Sequence, residues 1–231
     1  MGISVVIVSY NYGMYAAQAI DSILSQTKMP ERILYVDDCS AEGDVGCAVA
    51  KNFGVDVIRR EDNYGVLKNF QDILFNQVTT DRMIMLGADN WFRNDAIEKM
   101  NAEDADIVST DYYTTGSGVK ETKIAANPKY VYENGYYIRK FPHYDSPERI
   151  KAKILKKNFI HGSSLFNVKM SRECGGYKIM TSDGSGKRLC EDWGNWRGMI
   201  AGGAKLKHIS EPLLYYRKHR FNWGGHLTIK I

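Results

Sequence analysis

The chain has 231 residues, of which 44% are hydrophobic and 25% charged, and its formal net charge is +4. These values are ordinary for a globular protein, and the length suits one large α/β domain. No basic run is dense enough to indicate nucleic-acid binding, so a nucleic-acid acceptor is not expected. No window approaches the ~20 apolar residues that cross a bilayer, so no transmembrane segment is expected.

The cysteine pattern bears on the compartment. Cys39, Cys47, Cys174 and Cys190 form neither a CxxC pair nor a zinc-type spacing. Reduced thiols in a cytosolic protein are the default interpretation. The N-terminus enters a strand pattern directly, without the charged and apolar regions of a signal peptide. We therefore expect a cytoplasmic protein.

The first hundred residues alternate between two periodicities. A continuous β-branched apolar run at residues 3–8 predicts a strand that is buried on both faces, and residues 33–36, 55–58 and 83–86 predict three more strands. Between these runs, apolar residues at helical spacing predict three helices, which contain Ala16, Ile20, Ile23 and Leu24, then Val45, Ala48, Val49 and Phe53, then Val66, Phe70, Ile73 and Leu74.

Periodicity is weaker in the second half of the chain. It fades between about residues 111 and 157, a stretch rich in tyrosine, although residues 151–157 alternate lysines with apolar residues as in an amphipathic helix. Residues 159–168 predict a strand, a helix begins near Glu191, and residues 212–216 predict an edge strand. No linker divides the chain into independent domains.

Strands that alternate with helices predict an α/β fold with a doubly wound, mostly parallel sheet. Ligands of such sheets bind beyond the carboxyl ends of the strands. The residues that follow the four strands should therefore carry the chemistry, namely residues 9–11, 37–40, 59–63 and 87–90.

Two of these strand ends carry carboxylates, and each has two interpretations. Asp37 and Asp38 can accept hydrogen bonds from a nucleotide base or ribose, or they can form a helix-capping turn. Asp89 can hold a hard divalent cation against a diphosphate, or it can belong to a capped turn with Asn90.

Further candidates lie in the second half. One carboxylate of Glu191 and Asp192 can point into a cleft as a general base, while acids are also common in a first helical turn. His161, within an apolar strand pattern, is interpreted as a structural histidine. His219 can ligate a metal, and Arg217 or Lys218 can neutralise phosphate; a solvated charged tail is the alternative.

The ordered set of motifs resembles glycosyltransferase family 2. It comprises Val-Val-Ile-Val-Ser-Tyr-Asn-Tyr at 5–12, Ile-Asp-Ser-Ile-Leu-Ser-Gln-Thr at 20–27 and Val-Asp-Asp-Cys-Ser at 36–40. Asn-Tyr-Gly-Val at 63–66, Gly-Ala-Asp-Asn at 87–90, Glu-Asp-Trp at 191–193 and Tyr-Arg-Lys-His at 216–219 follow in the family's order.

This resemblance implies a GT-A fold, a nucleotide-sugar donor for which UDP is the expected nucleotide, and inversion at the anomeric carbon. It implies one catalytic domain over residues 1–231, with a nucleotide-sugar half at 1–100 and an acceptor half at 101–231 that carries the Tyr-rich insert at about 111–157. It makes Asp192 the base, accompanied by Glu191, and makes Asp89 and His219 the ligands of Mn²⁺ or Mg²⁺. The donor site that follows from it consists of Val8, Ser9, Tyr10, Asp38, Asn63, Lys68, Ala88 and Arg217.

The chain departs from the family pattern at one motif. Gly87 and Ala88 stand where many relatives carry Asp, and those acids contact ribose or help to order the metal. Asn90 or a water molecule would then replace them. A non-catalytic nucleotide-sugar or carbohydrate-binding relative is the alternative function. A nucleotidyltransferase would need a Gly-rich basic loop after the first strand, which residues 9–12 do not form.

The acceptor side follows from the family and the tyrosines. A glycan or a lipid-linked saccharide is the expected acceptor. Tyrosine rings stack on sugar faces and also suit protein interfaces, so the Tyr-rich insert is consistent with either acceptor binding or a homodimer.

Overall fold

The computed structural model describes residues 2–117, 127–178 and 191–219. Its first half alternates strands with helices as predicted. The elements are β1 (Ile3–Ser9), α1 (Ala16–Leu24), β2 (Arg32–Asp37), α2 (Gly46–Asn52), β3 (Asp56–Arg59), α3 (Gly65–Asp72) and β4 (Arg82–Gly87), with a 3₁₀ turn (Gly13–Tyr15) before α1 and a π-helical turn (Ile73–Gln77) after α3.

The second half contains shorter elements. They are β5 (Trp91–Phe92), α4 (Ala96–Ala102), β6 (Ile107–Thr115), β7 (Tyr130–Glu133), β8 (Tyr136–Arg139), α5 (Pro147–Ile154), β9 (Leu165–Asn167), α6 (Val168–Glu173), α7 (Glu191–Ala201) and β10 (Leu206–Arg217). No helix in these described ranges is long and apolar enough to cross a membrane.

The strands form one sheet in the order β3-β2-β1-β4-β9-β6-β10-β5, with the β7–β8 hairpin added beside β6. Strands β3, β2, β1 and β4 are parallel, as the doubly wound prediction requires. Strand β9 is antiparallel to both β4 and β6, so the sheet is mixed in its second half. Strand β10 runs parallel to β6.

The sheet has a hydrophobic layer on each face, which explains the continuous apolar run of β1. Val5 and Ile7 pack with α1 in one layer, and Val6 packs in the other. Trp193 and Trp196 of α7 belong to that second layer, and Trp196 is fully buried. Burial of each large apolar side chain contributes about 1.5–3 kcal/mol, so the two layers fix α7 against the sheet.

The register between β6 and β10 is irregular. Ile209 pairs with Thr110, Pro212 with Asp111, and Leu214 with Tyr112. Strand β10 therefore has extra residues between 209 and 214 that β6 lacks. Such bulges bend a strand and change which side chains face each side of the sheet.

Two of the predicted strands are wrong in part. Residues 159–164 form no strand, because the Asn158 side chain accepts from the Ile160 N–H at 3.1 Å and residues 161–164 turn; only Leu165–Asn167 is extended. Residues 212–216 are not an edge strand, since β5 pairs with Leu214 and Tyr215. These errors share a cause: a short buried run has the same composition in a loop, an inner strand or an edge strand.

The predicted faces and bounds of two helices also change. In α2, Ala50 is buried, while Val45 and Phe53 at its ends are 52% and 39% exposed. The helix predicted at 151–157 begins earlier, at Pro147, where Ser146 Oγ accepts a hydrogen bond from the Arg149 N–H at 3.3 Å. Ser before Pro is a favourable helix start, so a local capping signal decides this boundary.

Candidate active site

The predicted loops meet because the strands before them end in register. Ser9 pairs with Asp37 across β1 and β2, and Val8 pairs with Gly87 across β1 and β4. The Asp38 N–H donates to Ser9 O, and the Ala88 N–H donates to Val8 O, both at 2.9 Å. The three strand ends therefore form one continuous floor, as the fold rule predicts.

The loops after β1 and β2 are tied together by Asn11. Its backbone adopts φ 59°, a left-handed conformation that Asn tolerates better than most residues. The Asn11 N–H donates to Ser40 Oγ, and Asn11 Oδ1 accepts from the Ala41 N–H, both at 2.8 Å. Tyr10 beside it is 47% exposed, so its ring is available to a ligand.

The two adjacent aspartates at the end of β2 differ in their surroundings. Asp37 accepts a hydrogen bond from the Ser40 N–H at 3.2 Å and forms an ion pair with Arg59 at 3.6 Å. The bond to Ser40 agrees with the interpretation of Asp37 as a turn residue. Asp38 is buried and accepts from the Tyr64 N–H at 2.9 Å. Burial raises the pKa of Asp38, and backbone N–H groups and Arg60 oppose that rise. Asp38 thus connects the β2 end to the loop before α3.

Asn63 and Lys68 lie at that same loop. Asn63 is exposed and accepts from the Gly65 N–H at 2.9 Å, so it shapes the turn into α3. The Lys68 ammonium lies 3.6 Å from the centre of the Tyr64 ring, a cation–π contact. Lys68 is exposed, which leaves its charge available near Asp38.

Asp89 is the central group of the next loop. It is 7% exposed; Oδ1 accepts from Asn90 Nδ2 at 2.9 Å, and Oδ2 lies 3.1 Å from His219 Nε2. Burial raises the pKa of Asp89, while His219 and Arg217 oppose the rise.

A Cβ at position 87 would lie 2.8 Å from Asp89 Oδ1, and Ala88 is buried in the core. Packing therefore accounts for the small residues at both departures from the family motif.

Arg217, at the end of β10, holds this loop from the other side. Its N–H donates to Asn90 Oδ1 and its Nε to Asp89 O, each at 3.0 Å. The guanidinium lies 4.6 Å from the centre of the Tyr15 ring and 4.7 Å from that of Trp91. These contacts orient a cation beside the buried carboxylate of Asp89.

Asp89 and His219 offer one carboxylate oxygen and one imidazole nitrogen as candidate metal ligands. The His219 ring packs 5.2 Å from Tyr12 and 5.3 Å from Tyr15, which holds the imidazole toward the carboxylate. A carboxylate oxygen and an imidazole nitrogen suit Mn²⁺, and substrate oxygens complete such sites. Neither here nor anywhere else in the described part of the chain does a group of three or more His, Cys, Asp or Glu form a metal site. The residues therefore fit a metal that depends on the substrate for its remaining ligands.

Glu191 and Asp192 begin α7, as predicted. Asp192 Oδ1 accepts from Asn158 Nδ2 at 3.3 Å and from the Trp193 N–H at 2.7 Å. A Cβ at Gly162 would lie 3.4 Å from Asp192 Oδ2, so the chain passes close to this carboxylate. Burial first, and then the charge of Asp192, raise the pKa of Glu191 to about 7.

Tyr216 links the two acidic regions, although it was not among the predicted site residues. Burial raises its pKa to about 12, with further contributions from the charges of Asp89, Tyr12, Tyr130 and Asp192. One phenol therefore lies within electrostatic reach of both Asp89 and Asp192. Its ring packs 5.1 Å from that of Tyr112. The available signal was its place in the Tyr-Arg-Lys-His motif at 216–219, which also contains Arg217 and His219.

His161 and the cysteines lie apart from this chemistry. His161 lies in a loop, not in a strand; its Nε2 faces the Thr110 N–H at 3.3 Å, and burial lowers its pKa to about 3. This supports the structural interpretation. Cys39, Cys47 and Cys174 are free thiols, while Cys190 lies outside the described residues.

A known protein family matches most of this chain. The profile of Glycosyl transferase family 2 matches residues 4–175, three quarters of the chain. The chain belongs to glycosyl transferase family 2. A search of curated proteins found no match.

Solved structures show that this family 2 member has the GT-A fold. It is similar to residues 1–349 of TarS from S. aureus in complex with UDP-GlcNAc, with a TM-score of 0.66 and 16% identity, covering 96% of this chain and 60% of that one. It is also similar to the mannosyltransferase PcManGT from Pyrobaculum calidifontis in complex with GDP-Man and Mn²⁺, with a TM-score of 0.60 and 13% identity, covering 93% of this chain and 56% of that one. The chain thus spans about three fifths of these structures, and the predicted fold class is confirmed.

Proposed function

We propose that this protein is an inverting glycosyltransferase that moves a sugar from a nucleotide-sugar, preferably UDP-linked, to a hydroxyl of a glycan or a lipid-linked saccharide. The observation that carries the proposal is the edge of the sheet where the ends of β1, β2 and β4 meet, with Asp38 buried there and the buried carboxylate of Asp89 lying 3.1 Å from His219 Nε2. Asp89 is the donor-side carboxylate in this proposal, and Asp192, at the start of α7, is the acceptor-side carboxylate. Family membership and similarity to structures that contain UDP-GlcNAc and GDP-Man support the same class of donor.

The donor site in this proposal follows the carboxyl ends of the strands. Asp38 accepts a hydrogen bond from the base, and the residues at the end of β1 line the base pocket. Ala88 acts through its backbone, because its side chain is buried. Lys68 and Arg217 offset the charge of the diphosphate. The full set is Val8, Ser9, Tyr10, Asp38, Asn63, Lys68, Ala88 and Arg217.

The proposed reaction is a single displacement. Asp192 accepts the proton of the acceptor hydroxyl while that oxygen bonds to the anomeric carbon. The bond from this carbon to the diphosphate breaks on the opposite face, so the nucleoside diphosphate leaves with the electron pair. Asn158 and the Trp193 N–H, which donate to Asp192 Oδ1, orient the carboxylate. Glu191 lies beside Asp192 in the first turn of α7, and the charge of Asp192 contributes to its raised pKa.

Asp89 and His219 would hold Mn²⁺ or Mg²⁺, which would supply charge stabilisation at the leaving diphosphate. Arg217 adds a fixed cation to that side. One GT-A domain over residues 1–231 completes the proposal, with its donor half at 1–100 and its acceptor half at 101–231. The other role open to the Tyr-rich insert is a homodimer interface, which sedimentation equilibrium tests directly.

The experiment is a nucleotide-sugar screen followed by a release assay. Binding of the correct donor raises the apparent melting temperature according to its affinity. Release of nucleoside diphosphate from that donor, in the presence of Mn²⁺, then distinguishes a transferase from a non-catalytic binding relative, which would release none.

Asp192→Asn tests the base. Loss of a positioned general base typically costs about 10²–10⁴-fold in turnover, and we expect donor affinity to stay nearly unchanged. Asp21→Asn, at an exposed position of α1, is the matched control and should retain full activity. Full activity of the Asp192 variant would refute its role.

A further inference from the structure

Arg60 directly follows β3, and its side chain is only 8% exposed. Its Nη2 donates to Asp72 Oδ2 at 2.5 Å, and its Nε donates to Asn69 Oδ1 at 3.2 Å. The Arg60 N–H donates to Asp37 O at 2.9 Å, which ties its backbone to the end of β2. The donors of a guanidinium lie in one rigid plane, so these partners hold the side chain of Arg60 in one orientation.

Asp72, the last residue of α3, is held by the π-helical turn that follows it. Its Oδ1 accepts from Asn76 Nδ2 at 2.8 Å, and its Oδ2 accepts from Gln77 Nε2 at 3.2 Å. Burial acts to raise the pKa of Asp72, but the hydrogen bonds from Asn76, Arg60 and Gln77 outweigh it and lower the pKa. Asp72 is therefore a fixed anion that anchors Arg60 to α3.

Tyr64 connects Arg60 to the proposed donor site. The Arg60 guanidinium lies 4.9 Å from the centre of the Tyr64 ring, and the Lys68 ammonium lies 3.6 Å from it. Such cation–π contacts are stronger where the cation is shielded from water, as it is at Arg60. The Tyr64 N–H donates to Asp38 Oδ1 at 2.9 Å. The ring contact and this hydrogen bond therefore join Arg60 to the Asp38 carboxylate.

We propose that Arg60 is a positioning residue that sets a preference for a uracil base, because it fixes the Asp38 carboxylate through Tyr64. This inference rests on the proposed function, in which Asp38 accepts a hydrogen bond from the base. Uracil offers a ring N–H donor at N3, whereas cytosine has an acceptor nitrogen there. A site built to bond a donor group rejects an analogue that lacks the group.

The position of the carboxylate decides this selectivity. Cytosine also carries a donor, the exocyclic N4 amine, from which an aspartate can accept a hydrogen bond. A carboxylate that is held opposite the ring nitrogen bonds uracil alone, whereas a carboxylate that is free to shift can also reach the cytosine amine. Selectivity of this kind requires supporting residues that lock the acceptor in place. Arg60 supplies that support from outside the base pocket.

The experiment is calorimetric titration of UDP and of CDP, both in EDTA, so that no metal contributes to binding. Arg60→Lys keeps the positive charge near Asp38 but removes the planar set of donors. Arg93→Lys is the matched control, because Arg93 is also paired with a carboxylate, that of Asp95 at 2.5 Å, and is not part of the proposed donor site. Asp72→Asn is a second test variant, which removes the anion that anchors Arg60.

We expect the wild type to bind UDP at least about tenfold more tightly than CDP. In Arg60→Lys the affinity for UDP should fall about tenfold while the affinity for CDP stays constant or rises, because a hydrogen bond to a charged group loses its geometry. Asp72→Asn should change the ratio in the same direction by a smaller factor, and Arg93→Lys should keep both wild-type affinities. A merely structural role of Arg60 would lower the two affinities equally.

The ratio of the two affinities also gives the results that would overturn the inference. They are a wild type that binds UDP and CDP equally, a wild-type ratio in both Arg60→Lys and Asp72→Asn, or an equal change of ratio in Arg93→Lys. If Arg60→Lys fails to fold, which its melting curve reveals, Asp72→Asn decides alone. Failure of the proposed function is seen separately, because nucleotide binding requires no transfer. A protein that prefers UDP but releases no nucleoside diphosphate from any nucleotide-sugar would refute the transferase proposal and leave the role of Arg60 intact.

Discussion

The raised pKa of Glu191 predicts that the contribution of this side chain to stability decreases as pH rises toward neutrality. The ordinary pKa of 4.5 describes the unfolded chain, whereas burial and Asp192 raise the native value to about 7. Between these values the native state binds the proton more tightly, so its stability decreases as pH rises. A difference of this size corresponds to about 3 kcal/mol, and partial exposure of the side chain reduces the expected effect to about 1–3 kcal/mol.

Glu191→Gln should remove this dependence, because an amide of similar shape stays neutral. Urea denaturation of wild type and variant at about pH 5 and about pH 8 measures the effect. We expect similar free energies of unfolding at the lower pH and a more stable variant at the higher pH. Glu148→Gln, at an exposed position in the first turn of α5, is the control and should follow the wild type. A Glu191→Gln variant that keeps the wild-type pH dependence would refute the argument.

Two further predictions concern Asp89 and α7. Asp89→Asn should weaken UDP binding in the presence of Mn²⁺ by at least about tenfold, because even the hydrogen-bond partners of metal ligands contribute about 10–100-fold to metal affinity. Calorimetric titration of UDP, once with Mn²⁺ and once with EDTA, measures this effect. An equal loss of UDP affinity in the two conditions would count against a metal role of Asp89. Gly194→Ala should destabilise the fold by about 1–3 kcal/mol, because its Cβ would lie 2.2 Å from Lys178 O. Gly198→Ala, whose Cβ would lie 3.2 Å from Cys174 O, should cost less, and a melting temperature lower for Gly198→Ala than for Gly194→Ala would contradict this.

The donor half could be predicted from the sequence because its determinants are local. The middle of each of β1, β2 and β4 is an apolar run, and each of these strands is followed by polar residues that the parallel register brings to one edge. The hydrophobic pattern alone therefore places Asp38 and Asp89 at strand ends. The order of the family motifs adds functional roles for these two residues, which the hydrophobic periodicity alone does not give.

The second half could not be predicted to the same degree, because its contacts are distant in sequence. The Asp89–His219 pair spans 130 positions, and Arg217 contacts the carbonyl of Asp89 over 128 positions. Without the family resemblance of the Tyr-Arg-Lys-His motif, the residues near His219 would not distinguish it from a charged tail. The position of Tyr216 likewise depends on the pairing of β10 with β6. That pairing includes extra residues in β10 that interrupt the alternating pattern of a strand.

The irregular pairing of β10 also sets which tyrosine enters the cleft. Between Ile209 and Leu214 the offset to β6 changes by three residues, an odd number. Successive side chains of a strand point to opposite faces of the sheet. A change of offset by an odd number therefore reverses, relative to β6, the face on which each later side chain of β10 lies. Tyr216 consequently packs on Tyr112, while Tyr215 stacks on Tyr113 and Trp91. Removing one residue from this interruption would place Tyr215 on the face that Tyr216 now occupies, and Tyr216 on the opposite face. The length of the bulge therefore decides which of the two tyrosine side chains faces the cleft.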